Sequence, residues 1–238
     1  AENKARFKEQ GVEVMVSDPD VIETCCDKYK FYRFLAEKTI PTPETFLPQQ
    51  IDFFTTKYPL LVKSRVGSNS KNIFKVKNKK ELEFFLNYLS EPIVQEFVDG
   101  IEYTIDFFSN FDQKMMSVVS RERIETFGGE SYKGKIYYDN DIMESARNLA
   151  EQLGTIGHIT IQCKKNEKGI KFIEVNPRFG GGAMLGIESG ANTPLLLLEL
   201  MRDKKFEPPK RPFKTDLIML RYTNDLFIQA DSITKDVL

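Results

Sequence analysis

Histidine is almost missing from this sequence: His158 is the only one in 238 residues. A Ser-His-Asp hydrolase needs a base beside a nucleophile, and a histidine isolated from any such set reads as structural. Cysteine is scarce too. Cys25 and Cys26 are adjacent and Cys163 lies far away, which is neither a disulfide framework nor a C-x-x-C metal spacing and suits a reducing cytoplasm. Neither sign of charge is in excess. The 34 Lys and Arg stand against 35 Asp and Glu, so no global field draws nucleic acid or an anionic membrane, and small molecules are the expected partners. No apolar run reaches the length of a membrane span, the opening AENKARFKEQ has no signal-peptide core, and no internal repeat or low-complexity tract occurs. The chain starts at Ala1 without an initiator methionine, so an upstream segment is expected. The apolar content suffices for a substantial core in one large domain or two small ones.

The stretch Lys171 to Gly182, KFIEVNPRFGGG, concentrates the chemistry. Glu174, Asn176 and Arg178 recur at every second position of a short strand, and alternate strand residues share a face. A carboxylate, an amide oxygen and a guanidinium suit a divalent metal and the phosphate it carries. The glycines after Phe179 allow a close backbone approach. A surface strand entering a Gly-rich turn accounts for this stretch alone equally well. Ile156 to Cys163 is a second strand, and the Asn166-Glu167-Lys168-Gly169 turn folds it back so that Gln162 faces Glu174. Gln162, Glu174 and Asn176 then converge on one ion.

Taken in order, a charged helix over Glu2 to Gln10 precedes an alternating strand Val12 to Val16, an αβ unit expected to belong to a sheet formed upstream. Asp27 caps a helix running to Lys38. Lys28 in its first turn opposes the helix dipole unless an anion is nearby. The strand Pro59 to Arg65, the polar loop Gly67 to Lys71 and the strand Ile73 to Val76 form a hairpin suited to covering phosphate, with Lys63 as the point charge. An ordinary polar hairpin reads the same way. Glu102 shares a strand face with Thr104 and Asp106 after the turn at Asp99-Gly100. Arg121 and Arg123 form a fork for carboxylate or phosphate, or else pair in solvent with Glu122 and Glu125. Gly129 to Lys135 almost spells a P-loop, but Ile136 stands where Ser or Thr belongs and no strand leads into a helix, so that match fails. Helices follow at Asp139 to Leu153, Ala183 to Ser189 and Pro194 to Met201. Leu195 to Leu198 is apolar all round and reads as buried; Asp216 to Arg221 reads as a last strand.

A Gln strand followed by one reading E-x-N-P-R resembles the metal end of the ATP-grasp ligases, and E-V-N-P-R-F-G-G-G resembles their carbamoyl-phosphate synthase large-subunit branch. The motif order K, GSxSK, QEFVxGxE, Q, ExNPRFGGG covers Asp27 to about Arg221. The resemblance implies an α+β ATP-grasp fold over residues 27–238, two α+β lobes clasping ATP with the small lobe at about 55–98. Residues 1–26 would be the end of an α/β pre-ATP-grasp domain.

It implies further that Lys28, Lys63, Ser68, Ser70 and Lys71 hold ATP phosphates. Glu96, Phe97 and Val98 would meet adenine, and Glu102 the ribose. Gln162, Glu174 and Asn176 would bind Mg²⁺, with Mn²⁺ as its alternative. Arg178 with Lys63, Arg121 and Arg123 would neutralise the transferring phosphoryl group. The segment at Glu130, Ser131 and Lys133 is implied as a loop near the substrate carboxylate. The activity implied is an ATP-dependent carboxylate-amine ligase that forms an acyl phosphate and releases ADP and phosphate. A nucleotide-binding protein without turnover, or a kinase or carbamate-phosphorylating enzyme, are the alternatives, and a homo-oligomer is left open.

Overall fold

The computed structural model describes residues 1–53, 55–67, 72–208, 213–225 and 227. Its chain begins with three helices, α1 (Lys4–Glu9), α2 (Pro19–Cys26) and α3 (Lys28–Glu37). Between α1 and α2 the alternating valines at 12, 14 and 16 form no strand, contrary to the sequence pattern, because no neighbouring strand among the described residues offers their backbone a ladder. The segment is held instead through Ser17, whose hydroxyl donates to the Ile156 carbonyl at 3.2 Å and accepts from the Ile156 N–H at 2.9 Å. Helix α2, announced in the sequence by Asp18-Pro19, supplies Val21 and Cys25 to the same core as Phe31 and Leu35 of α3.

Two antiparallel sheets follow. The smaller has the order β1 (Thr45–Phe46), β4 (Pro92–Glu96), β2 (Leu60–Ser64), β3 (Ile73–Val76). Helix α4 (Lys79–Tyr88) covers it. Asn78 caps that helix by accepting from Glu81 N–H at 3.0 Å, and Glu81 accepts in return from Lys77 N–H. Leu60, Val62, Val76, Leu82 and Val94 make this unit's own core.

The larger sheet has the order β10 (Ile218–Leu220), β7 (Glu130–Ile136), β6 (Met115–Phe127), β5 (Ile101–Ser109), β8 (Gly157–Asn166), β9 (Gly169–Asn176). On β5 the alternation is clean. Tyr103, Ile105 and Phe107 enter the main core with Ile142, Ala146 and Leu149 of helix α5 (Asn140–Leu153), which leaves Thr104 and Asp106 for the opposite face. Each fully buried Ile, Leu or Phe there contributes about 1.5–3 kcal/mol over leaving it in water. Asp139 caps α5 by accepting from Ile142 N–H, and Gly154 ends it in the left-handed region at φ 71°.

Two expectations fail in this sheet's surroundings. Glu130 to Ile136 is strand β7 rather than a loop, because β6 continues past Arg123 and gives it a partner, with register shifts around Glu125. Helix α7 (Thr193–Arg202), which follows α6 (Ala183–Ser189), is not buried all round. Only Leu200 and its neighbours pack on Phe108 and Met116, while Leu195 and Leu198 are exposed. Among the described residues no helix is long and apolar enough to cross a membrane.

Candidate active site

The hairpin of β8 and β9 builds the centre of the site. Its turn pairs Asn166 with Gly169 and carries the register unbroken to Cys163 and Phe172. A shift between Gln162 and Cys163 passes over Ile173 and brings Gln162 opposite Glu174 and Thr160 opposite Asn176. Glu174 accepts from the Asn176 amide at 2.8 Å, which fixes the two side chains together and leaves the Asn176 oxygen as an acceptor. Gln162, Glu174 and Asn176 line one polar cleft with Arg178. Among the described residues no three His, Cys, Asp or Glu side chains gather as a metal cluster. The oxygen set here is one carboxylate and two amides, suited to a hard cation that takes its remaining ligands from phosphate.

Two lysines on other elements feel the charge of this carboxylate. Lys63 on β2 is buried and donates to Gln95 Oε1 at 2.8 Å, and Gln95 in turn donates to Thr45 Oγ1 at 2.8 Å. Burial pushes the Lys63 ammonium down to about 8; Glu174 opposes this, and the charge of Lys28 adds to it. Lys28 is also held below the ordinary lysine value by burial, against the pull of Glu174 and Asp27. Its Nζ donates to the Gly67 carbonyl at 2.8 Å, tying the first turn of α3 to the start of the phosphate-loop segment. Arg65 strengthens that tie by donating through Nε to both Asp27 oxygens at 2.9 and 2.8 Å. Burial alone would raise the Asp27 carboxyl, but the Arg65 bond and the Lys30 and Tyr29 amides hold it low. Ser68, Ser70 and Lys71 lie outside the described residues.

Arg121 and Arg123 of β6 face the cleft, with neighbours the sequence did not name. Arg121 is buried and grips Asp106 of β5 through Nε at 2.7 Å and Nη2 at 2.9 Å. Burial would raise the Asp106 carboxyl; the Arg121 guanidinium, with His158 Nε2 at 3.7 Å, outweighs this and holds it at about 2. Arg123 donates to Glu102 at 2.5 Å and to the Gly129 carbonyl at 2.8 Å. The solvent pairing with Glu122 and Glu125 is therefore replaced by partners one strand away or beyond the β6 tip. Glu125 takes Lys133 instead at 2.6 Å, which draws Lys133 away, whereas Glu130 and Ser131 line the cleft. Arg178 lies in the loop beyond β9, donating to the Phe179 carbonyl at 2.9 Å.

The three glycines after Phe179 are explained by crowding. None has positive φ, so none is required by backbone conformation. A Cβ on Gly180 would stand 2.9 Å from Thr160 Oγ1, one on Gly181 2.7 Å from the Glu130 carboxyl carbon, and one on Gly182 against Arg121 Nη1. The loop is glycine because three side chains press on it.

Of the residues expected near adenine, Glu96 accepts from Lys171 at 2.8 and 2.6 Å, Phe97 lies under Lys75 Nζ at 3.5 Å from its ring centre, and Val98 is buried. His158 is buried, stacked on Phe179 at 4.0 Å between ring centres, with Nδ1 3.0 Å from Thr193 Oγ1. Gln95, Asp106 and Thr160 are the contributors sequence reasoning passed over. Each held a visible place in a motif or on a strand face, but its partner is distant in sequence.

Comparison with known proteins bears on the family and the fold. The D-alanine–D-alanine ligase of Petrotoga mobilis is 24% identical over 166 residues, which are 64% of this chain and 53% of the ligase. The carbamoyl phosphate synthase large chain of Thermomicrobium roseum is 24% identical over 188 residues, 71% of this chain and 17% of that one. The chain thus spans about half of the first relative and a small part of the second. The biotin carboxylase domain of the Hydrogenobacter thermophilus 2-oxoglutarate carboxylase, solved with MgADP and bicarbonate, superposes with a TM-score of 0.71 at 15% identity, covering 89% of this chain and 53% of that one. At that identity the likeness establishes a shared fold. The family model of the ATP-grasp domain matches residues 25–182, from the α2–α3 junction to the last glycine of the crowded loop, and on that match the chain belongs to the ATP-grasp family.

Proposed function

We propose that this protein is an ATP-dependent carboxylate-amine ligase that works through an acyl phosphate and releases ADP and phosphate. The observation that carries the reading is that Gln162, Glu174 and Asn176 line one cleft with Arg121, Arg123 and Arg178, with Lys28 of α3 and Lys63 of β2 under the charge of Glu174. Lysines whose basicity burial lowers are held in the charged form by a polyanion, which is what a triphosphate supplies. Glu174, Asn176 and Gln162 would hold Mg²⁺, or Mn²⁺ on the same donors, which would supply positive charge to offset that of the phosphates. Lys63 and Lys28 bind and orient the phosphates, and Arg178, Arg121 and Arg123 face the transferring group, where fixed positive charge lowers the barrier most. Glu96 to Val98 border the adenine end and Glu102 the ribose. The chemistry asks no side chain to act as a strong base, in keeping with the single histidine.

The likeness to the carbamoyl-phosphate synthase branch concerns this phosphate-handling half, and we infer that the present chain shares that half of the mechanism. The division into residues 1–26 and 27–238 stays a proposal of the same reading. Calorimetric titration of MgATP into the protein, repeated with Glu174→Ala and Lys63→Ala, tests it. Metal-dependent binding lost in both variants, with ADP release that needs a carboxylate and an amine together, is the expected result. Release without an amine would replace the ligase by a kinase, and binding without release by a nucleotide-binding protein.

A further inference from the structure

Beside the polar cleft lies a second hollow of about 400 Å³, and the two share Glu130 and Ser131 in their walls. Its chemistry is different. Phe127, Leu220 and Tyr222 are exposed around it, and Tyr132 lies 6.3 Å from Phe127 between ring centres. Large apolar side chains left in water at one place beside a charged cleft mark a binding surface. They are not needed by the core, which on this side is closed by Val119, Ile136 and Leu185.

The floor of the hollow carries one charge of each sign. Arg221 follows directly on β10, which pairs with β7, and its N–H donates to the Tyr132 carbonyl at 3.1 Å. Its Nη1 donates to Glu130 Oε2 at 3.0 Å, and its Nη2 donates to the Gly181 carbonyl in the glycine loop. A guanidinium has five donors in a planar fork and so retains capacity for a carboxylate while keeping both contacts. Glu130 is exposed, and its carboxylate also abuts Gly181. It stands where the hollow meets the phosphate-facing cleft.

We propose that this hollow is the acceptor subsite and takes an α-amino acid with a large apolar or aromatic side chain. The carboxylate lies on Arg221, the amino group on Glu130 toward the cleft, and the side chain between Phe127, Tyr132 and Tyr222. The assignment rests on the ligase reading. The ammonium so placed first loses a proton to solvent at the open mouth, and the free amine attacks the acyl phosphate: the carbon–nitrogen bond forms, the carbon–oxygen bond to phosphate breaks, inorganic phosphate leaves, and the nitrogen loses a second proton to solvent.

The test is binding of L- and D-phenylalanine to the protein by calorimetry, with and without saturating MgATP, against phenethylamine, 3-phenylpropionate and alanine. One enantiomer of phenylalanine should bind, and the two truncated analogues and alanine should bind at least about tenfold more weakly. Arg221→Met should cost phenylalanine about tenfold to a hundredfold, the worth of a charge-assisted bond. Phe127→Ser with Tyr222→Ser should bring phenylalanine to the level of alanine. If neither enantiomer binds, or if both variants bind it as the unsubstituted protein does, the subsite is overturned. The separate titration of MgATP alone keeps this distinct from the ligase reading, since nucleotide binding without amino-acid binding removes only the subsite.

Discussion

Asp106 on β5 and Arg121 on β6 are joined by two hydrogen bonds, 2.7 and 2.9 Å, with both side chains buried. The pair holds the Arg121 plane so that its remaining Nη1 backs the Gly182 backbone at the site. Removing one partner strands a buried charge, so Asp106→Asn should cost about 3–5 kcal/mol in chemical denaturation. The pH dependence follows from the carboxyl being held at about 2, below the unfolded value of about 3.9. The stabilisation is complete above that unfolded value and is lost as pH falls through the folded one. The double variant Asp106→Leu with Arg121→Met should recover most of the stability but not the turnover. Recovery of both would remove Arg121 from the mechanism.

Overpacking in the glycine loop should depend on which neighbour must yield. Thr160 is β-branched and fixed on a strand, whereas Glu130 presents the far end of a flexible chain. Gly180→Ala should therefore cost about 1–3 kcal/mol and Gly181→Ala distinctly less, read as the shift in thermal midpoint. Adding Thr160→Ser, which removes the methyl group, should return part of the Gly180→Ala loss. Equal costs at the two glycines would show that the loop moves as a body.

On the reading proposed above, Lys63, held at about 8 by burial, should set an alkaline limit on nucleotide binding. Its folded value lies below the unfolded one of about 10.4, so between the two the unfolded chain binds more protons and stability rises with pH. Phosphate favours the charged form, and MgATP binding above pH 8 should take up a proton. Calorimetry in two buffers of different ionisation enthalpy reads that uptake at pH 9. Uptake larger at pH 9 than at pH 7 is the expected pair of results, and no uptake at pH 9 would remove Lys63 from the phosphate site.

Local pattern was enough for much of this. Asp27 as a helix cap and the core alternation on β5 are set by residues near one another in sequence, where periodicity and capping chemistry act. That Gln162, Glu174 and Asn176 lie together was legible because all three sit on one hairpin.

What required the tertiary structure depends on partners that sequence order does not supply. Val12 to Val16 alternates like a strand, but a strand exists only where another backbone pairs with it. Glu130 to Ile136 becomes a strand because β6 runs on to meet it, and the hairpin register reaches Glu174 only through the shift at Ile173. Asp106 under Arg121, Gln95 under Lys63 and Arg221 beside Glu130 are contacts across strands or distant segments. The sequence determined which chemical groups this protein carries; the fold, through burial and close approach, decided which of them share their charge.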